Sequence, residues 1–248
     1  MENKLNIPTE IVELPSKGLL YSKDSPLSSG KIEMKYMTAK EEDILTNQNF
    51  IKNGIVIDKL LQSLIVSKIE YNDLLIGDKN AIMVAARILS YGSKYDFTYN
   101  NTEQSIDLST LETKPLHDVF AITTSNEFAY ALPHSGNNVT FKLLTHGDET
   151  KIDQEIKGLQ KINKNVTNDI TVRLAHIITS VNGSTDKSEI RNFVNNYFLA
   201  RDAREFRKFY NEISPDIDLS VTLIDSEGRE EAVELPIGVS FFWPDAWI

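Results

Sequence analysis

The sequence predicts an α+β fold, with helical N-terminal and C-terminal blocks around antiparallel β-hairpins. Three observations carry this prediction. Apolar residues recur at helical spacing in two separate stretches. Between and after those stretches, apolar and polar residues alternate around turn-forming residues. The two patterns come in runs, not in the strict alternation of a parallel-sheet protein. The expected layout is an extended N-terminal arm at 1–30 and a mainly helical block at 31–94. A β-rich segment at 95–144 and a second helical block at 145–216 follow. A closing hairpin with an aromatic tail occupies 217–248, and the whole makes one or two compact domains.

Residues 1–30 read as irregular, because Pro8, Pro15, Gly18, Pro26 and Gly30 break every candidate helix. "ELPSKGLLY" holds Leu14, Leu19, Leu20 and Tyr21, too apolar for a free tail, so this arm is expected to be pinned to its own surface or a partner's. "KIEMKYM" alternates and predicts a strand. Thr38 with Glu41 three residues on forms a capping-box pattern and predicts a helix to about Asn47. Past Gly54, Ile57, Leu60, Leu61, Leu64 and Ile65 form a helical stripe. Ile82, Ala85, Ala86 and Leu89 form another, with Gly92 as its C-terminal cap.

"YDFTY" and "QSIDL" flank Asn100-Asn101 and predict a hairpin. "HDVFAITT", "EFAYALP" and "NVTFKLL" read as further strands, the last two joined by "SGNN". Asp148 to Asn163 reads as a polar, partly exposed helix, and "TNDITVRLAHIITSV" as a helix ended by Asn182-Gly183. "DKSEIRNFVNNYF" starts with a capping-box-like Asp186 and Glu189, and "ARDAREFRKFYNEI" continues helical to Pro215. Two alternating runs around "DSEG" (225–228) predict the closing hairpin.

The chain has 248 residues, 41% hydrophobic and 25% charged, enough for a buried core. Its net charge of −10 argues against general nucleic-acid binding, which needs a basic face. "AREFRKFY" (203–210) concentrates three basic residues and reads as one solvated helix face. With no cysteine, disulfides, thiolate catalysis and Cys-ligated zinc are excluded. No apolar run approaches the roughly 18 residues of a membrane span. "MENKLNIPTEIVELP" lacks a signal-peptide pattern, so a cytosolic protein without processing is expected.

Chemistry is sparse. His117, His134, His146 and His176 show no i, i+4 pairing of a helical metal site, and His176 sits inside an amphipathic stretch as a structural residue. "THGDE" places His146 beside Asp148 and Glu149, which permits a hydrolase centre. Helix capping by Thr145 or Asp148 explains the same residues with less. No phosphate loop or nucleophile elbow is present. Neither a metal nor a cofactor is expected. Paired short hairpins often build a zinc ribbon, but the turns "TYNNTEQ" and "IDSEGRE" carry no thiol. One hairpin is therefore a candidate metal-free, ribbon-like element, and both must lean on something larger.

Both tryptophans lie in "VSFFWPDAWI" (239–248). Pro244 and Asp245 argue against a membrane anchor. Phe241, Phe242 and Trp243 are expected to close the core beneath the last hairpin, while Trp247 and Ile248, past the Pro244 break, are expected to reach a neighbouring subunit. Lys40, Glu41 and Glu42 read as solvated charges of a capped helix. The Asn47-Gln48-Asn49 turn and Phe50 are the better interface candidates there. The partner-binding candidates are thus Leu19, Leu20, Tyr21, Asn49, Phe50, Trp247 and Ile248.

Taken in order, "LPSKGLLY", "KYMTAKEEDILTNQNFIKNGIVIDKLLQSLI", "DLLIGDKNAIMVAARILSYG", "ARDAREFRKF" and "VELPIGVSFFWPD" resemble the baseplate hub proteins of T4-type contractile-tailed phages. The resemblance runs from about Leu14 to Asp245. It implies a non-enzymatic hub subunit or hub assembly factor that binds other hub proteins and the tape-measure protein. Such a protein acts in the host cytoplasm during assembly or stays in the virion baseplate, without nucleic acid or membrane insertion. A transient chaperone of the tape-measure protein, absent from the virion, is the alternative. Homo- and hetero-oligomers both remain open. The resemblance also implies Cys-x-x-Cys pairs in the two hairpin turns. This sequence has Asn100, Asn101, Asp225 and Ser226 in those regions, so no metal site carries over.

Overall fold

The computed structural model describes residues 7–100, 102–123, 125–162, 168–224, 228–235 and 237–242. The chain is α+β, with small antiparallel sheets set among eight described α-helices. The expected arm begins with a strand: β1 (Thr9–Glu13) pairs with β2 (Lys31–Lys35), Ile11 opposite Glu33. The connecting loop closes on itself. A Cβ on Gly18 would lie 2.5 Å from the Ser28 carbonyl oxygen, and both Gly18 and Gly30 have left-handed backbones (φ +77° and +69°). Leu14, Leu20, Tyr21 and Leu27 are buried, so the arm is pinned to the chain's own body.

Thr38 caps α1 (Ala39–Leu45): the Glu41 side chain accepts from the Thr38 amide at 3.0 Å and the Thr38 hydroxyl at 2.6 Å. Glu41 is not solvated, unlike its exposed neighbours Lys40 and Glu42. It is fully buried because Lys35 Nζ (2.7 Å) and Ser63 Oγ (2.9 Å) also donate to it. The expected turn at 47–49 is instead the start of α2 (Gln48–Lys52), where the Asn47 side chain accepts from the amides of Asn49 and Phe50. The two apolar stripes form α3 (Val56–Leu64) and α4 (Ile76–Tyr91).

β3 (Lys94–Tyr99) and β4 (Thr102–Asp107) form the expected hairpin, with Asn100 in the left-handed region (φ +47°). "HDVFAITT" departs from the prediction: Asp118–Ala121 is a 3-10 turn. The cause is local, since His117 Nδ1 accepts the Val119 amide at 3.1 Å and offers the backbone an alternative to a ladder. β5 (Phe128–Ala131), β6 (Asn138–Phe141) and β7 (Ile178–Val181) make the one three-stranded sheet among the described residues. The helical reading of "TNDITVRLAHIITSV" thus holds only for α6 (Asp169–Ile177). Beyond it the β-branched run pairs with β6, and Thr140 Oγ1 lies 2.7 Å from both Thr179 Oγ1 and Ser180 Oγ.

The remaining helices are α5 (His146–Ile162), α7 (Lys187–Asn196) and α8 (Ala200–Ile213). β8 (Ser220–Ile224) and β9 (Glu230–Glu234) form the closing hairpin. The two hairpins meet: Gln104 Nε2 donates to the Ile224 carbonyl at 2.7 Å, and the Tyr99 hydroxyl to Glu231 at 3.4 Å. Among the described residues, no group of three or more His, Asp or Glu is arranged to hold a metal ion. No helix there is long and apolar enough to cross a membrane.

One continuous core links these parts, from Leu14 to Phe242. Its centre is aromatic. Phe141 stacks on Phe128 at 5.5 Å and meets Phe206 edge-on at 5.0 Å. Phe241 and Phe242 are fully buried at its other end.

Candidate protein-binding surfaces

The candidate residues of the arm divide by burial. Leu20 and Tyr21 face the chain's own core, whereas Leu19 is 44% exposed. Tyr21 is held by α4: its hydroxyl donates to Asp78 Oδ2 at 2.6 Å and accepts the Leu75 amide at 2.9 Å. Ser16 donates to the same carboxylate from its amide (2.9 Å) and hydroxyl (2.7 Å). Burial raises the Asp78 carboxyl above its usual range, and these donors pull it back only in part. Burial also raises the Tyr21 phenol, reinforced by the Asp78 charge, so this hydroxyl stays protonated as a donor.

On α2, Asn49 is exposed and Phe50 is half-buried against the core. Trp243, Trp247 and Ile248 lie outside the described residues.

His146, Asp148 and Glu149 are each committed to a different partner. His146 opens α5 with its Nδ1 3.1 Å from Lys79 Nζ and its Nε2 3.7 Å from Asp58 Oδ2. Tyr71 meets the imidazole edge-on at 4.8 Å and donates its hydroxyl to Asp58 at 3.0 Å. Burial lowers the imidazole pKa and Lys79 lowers it further, against Asp58 and Glu149. Asp148 accepts from Lys142 Nζ at 2.7 Å on both oxygens and from Thr145, closing a capping box on α5. Glu149 pairs with Arg173. His176 bonds Glu155 at 2.9 Å, and Arg191 grips the same carboxylate with two nitrogens.

A feature that the sequence reading missed is a cleft of about 320 Å³. Its walls are the start of α4, the Leu143-Leu144 segment, α6, and α8 through Pro215. Leu174, Ile177 and Phe206 supply apolar lining, Ile170 is 58% exposed, and Arg173, Arg207 and Asn211 add polar groups. The Tyr210 hydroxyl accepts the Leu144 amide at 3.0 Å and ties α8 to the opposite wall. Gly77 permits the closest approach, since a Cβ there would lie 1.8 Å from the Pro215 carbonyl oxygen.

The helical stripe of α8 sorts its residues. Asp202, Ala203, Phe206 and Ile213 are buried, and Asp202 accepts the amides of His134 and Ser135 at 2.8 and 3.0 Å. Arg201, Arg204, Arg207, Lys208 and Asn211 are exposed. The i, i+3, i+4, i+7 spacing of Arg204, Arg207, Lys208 and Asn211 was the available signal for this outer row.

Across residues 9–243 the chain matches the model of a protein family described as T4 bacteriophage base plate protein. No curated protein and no solved structure is significantly similar to it.

Proposed function

The chain belongs to the T4 bacteriophage base plate protein family, and from that premise we propose that it is a non-enzymatic subunit or assembly factor of the baseplate hub. In this reading it acts by binding other hub proteins and the tape-measure protein. The family match over nearly the whole chain is the observation that carries the reading. The chemistry of the fold supports it. His146, Asp148, Glu149 and His176 are tied to neighbouring side chains, and Asp78 and Asp202 hold backbone amides in place. Contacts are made by Leu19 on the arm, by Asn49 and Phe50 on α2, and by Trp247 and Ile248.

The test is quantitative mass spectrometry of purified phage particles against a known tail protein. The peptide "NFVNNYFLAR" at a fixed copy number makes this a hub subunit resident in the virion. Its absence from particles but presence on hub or tape-measure intermediates in infected lysate makes it an assembly factor that leaves. Absence from both overturns the proposal.

A further inference from the structure

We propose that the cleft between α6 and α8 is a docking groove for a short segment of a partner protein, one in which a bulky apolar side chain is flanked by carboxylates. The inference rests on the reading of the chain as a protein-binding baseplate component. Charge carries it first. The chain is acidic, at −10, and four cations near the cleft are matched: Arg173 by Glu149, Lys142 by Asp148, Lys79 by Asp58 and Arg191 by Glu155. The outer row of α8 breaks that pattern. Among the described residues, Arg204, Arg207 and Lys208 make no ion pair, and neither does the adjacent Arg201. The carboxylates within the cleft are already used. Glu149 is held by Arg173, and Asp216 by Asn80 (3.1 Å) and the Ile217 amide (2.8 Å). Of the row, Arg207 and Asn211 line the cleft, while the α8 carboxylates Glu205 and Glu212 stand beside Lys208 and do not line it, so an acidic segment meets the unpaired Arg207 at the cleft edge.

Shape adds the apolar requirement. The floor is apolar, with Leu174 and Ile177 over the buried Phe206, and Ile170 stands exposed at the wall. A lone exposed isoleucine needs no explanation, but one lining an apolar cleft that the unpaired Arg207 also lines marks a recognition surface. The row from Arg204 to Asn211 extends about 10 Å along α8, seven steps of ~1.5 Å each. That length suits a peptide segment lying along the helix, with its apolar side chain in the cleft and its acids against the row.

The test is selection of a displayed random dodecapeptide library on the full chain, followed by fluorescence anisotropy with the enriched peptide. Expected are sequences with Phe, Trp or Leu within four positions of two or more Asp or Glu. Arg207→Glu should weaken the enriched peptide at least tenfold, and Ile170→Glu comparably. Lys23→Glu, the same charge change at an exposed site on the arm, should leave it within twofold. Circular dichroism and melting confirm that each variant folds. No enrichment, enrichment of basic peptides, or binding indifferent to Arg207→Glu overturns the proposal. Competition by a synthetic peptide of residues 239–248 also overturns it, and makes the occupant a second copy of this chain. Particle mass spectrometry tests the baseplate reading separately, so failure of either is distinguishable.

Discussion

Tyr21 and Asp78, 57 positions apart in the chain, share a 2.6 Å hydrogen bond in which the phenol donates to Oδ2. Through it the arm and the first turn of α4 become one unit, because the same phenol oxygen accepts the Leu75 amide. Tyr21→Phe leaves a buried amide and a buried carboxylate each short of a partner. It should lower stability by about 1–3 kcal/mol, seen as a lower urea midpoint at unchanged slope. Asp78→Ala strands three donors and should exceed that loss. An unchanged midpoint in Tyr21→Phe would show that the arm does not depend on this bond.

Acid should destabilise the protein in two stages. The His146 imidazole titrates below its usual 6.5 in the folded chain, chiefly through burial. The unfolded chain then binds the proton first, so stability falls as pH drops below about 6.5. Burial alone would raise Glu41, but hydrogen bonds from Lys35, Thr38 and Ser63 outweigh it and hold the group at about 2. Glu155 lies at about 2 chiefly through its hydrogen bond from Arg191. These two contribute stability above 4.5 that is lost as pH falls toward 2. Asp78 and Asp216, raised by burial, oppose the trend. Melting temperatures between pH 8 and pH 3 should show a shallow decline and then a steeper one. His146→Gln should remove the shallow part and Glu41→Gln should flatten the steep part; unchanged curves would refute the assignment.

Local signals in the sequence were readable because their partners lie within four residues. The Thr38–Glu41 box, the Asn100 turn and the stripes of α3 and α4 all have that range. Where two local preferences compete, the pattern misleads. "HDVFAITT" alternates well enough for a strand, yet the His117 side chain captures a backbone amide two residues on. Ile178–Val181 continues the helical stripe of α6, yet β-branched residues beside a free strand edge pair instead. The buried carboxylates were invisible for another reason. Asp78 finds Ser16 at 62 positions and Asp202 finds His134 at 68, separations that no window along the chain connects. The cleft is of the same kind. "AREFRKFY" shows an exposed basic face, but its apolar wall exists only once Ile170, Leu144 and Phe206 are brought together.

Two glycine substitutions should act in opposite directions. Gly77→Ala drives a Cβ to 1.8 Å from the Pro215 carbonyl oxygen, so α4 and the 214–216 segment must separate. It should cost about 1–3 kcal/mol or more, as overpacking does. Gly158 lies inside α5 with nothing within 4 Å of an added Cβ and no left-handed backbone. Gly158→Ala should therefore stabilise by roughly 0.5–1 kcal/mol. Paired thermal and urea unfolding of the two variants decides the matter: a neutral or stabilising Gly77→Ala would refute the packing at Gly77, and a destabilising Gly158→Ala would refute the open site in α5.

Arg87 holds the end of the described chain without a carboxylate. Its Nε donates to the Phe241 carbonyl at 3.1 Å and its Nη1 to that of Gly92 at 3.1 Å, with Nη2 3.5 Å from the Lys94 carbonyl. Its guanidinium also lies over the rings of Tyr91 and Tyr95 at 5.1 and 5.5 Å. Burial lowers the pKa of this group, and charge-assisted bonds to carbonyls offset the desolvation. Arg87→Lys keeps the charge but loses the planar fork, so it should destabilise almost as much as Arg87→Met. Phe241→Ala empties a fully buried site against Tyr95 and Phe242 and should cost about 3–5 kcal/mol. If the fork positions Phe241, the double variant Arg87→Met with Phe241→Ala should fall short of the summed losses by at least about 0.5 kcal/mol. Additive losses in urea unfolding would show that Arg87 and the terminal 3-10 turn (Val239–Phe242) contribute independently.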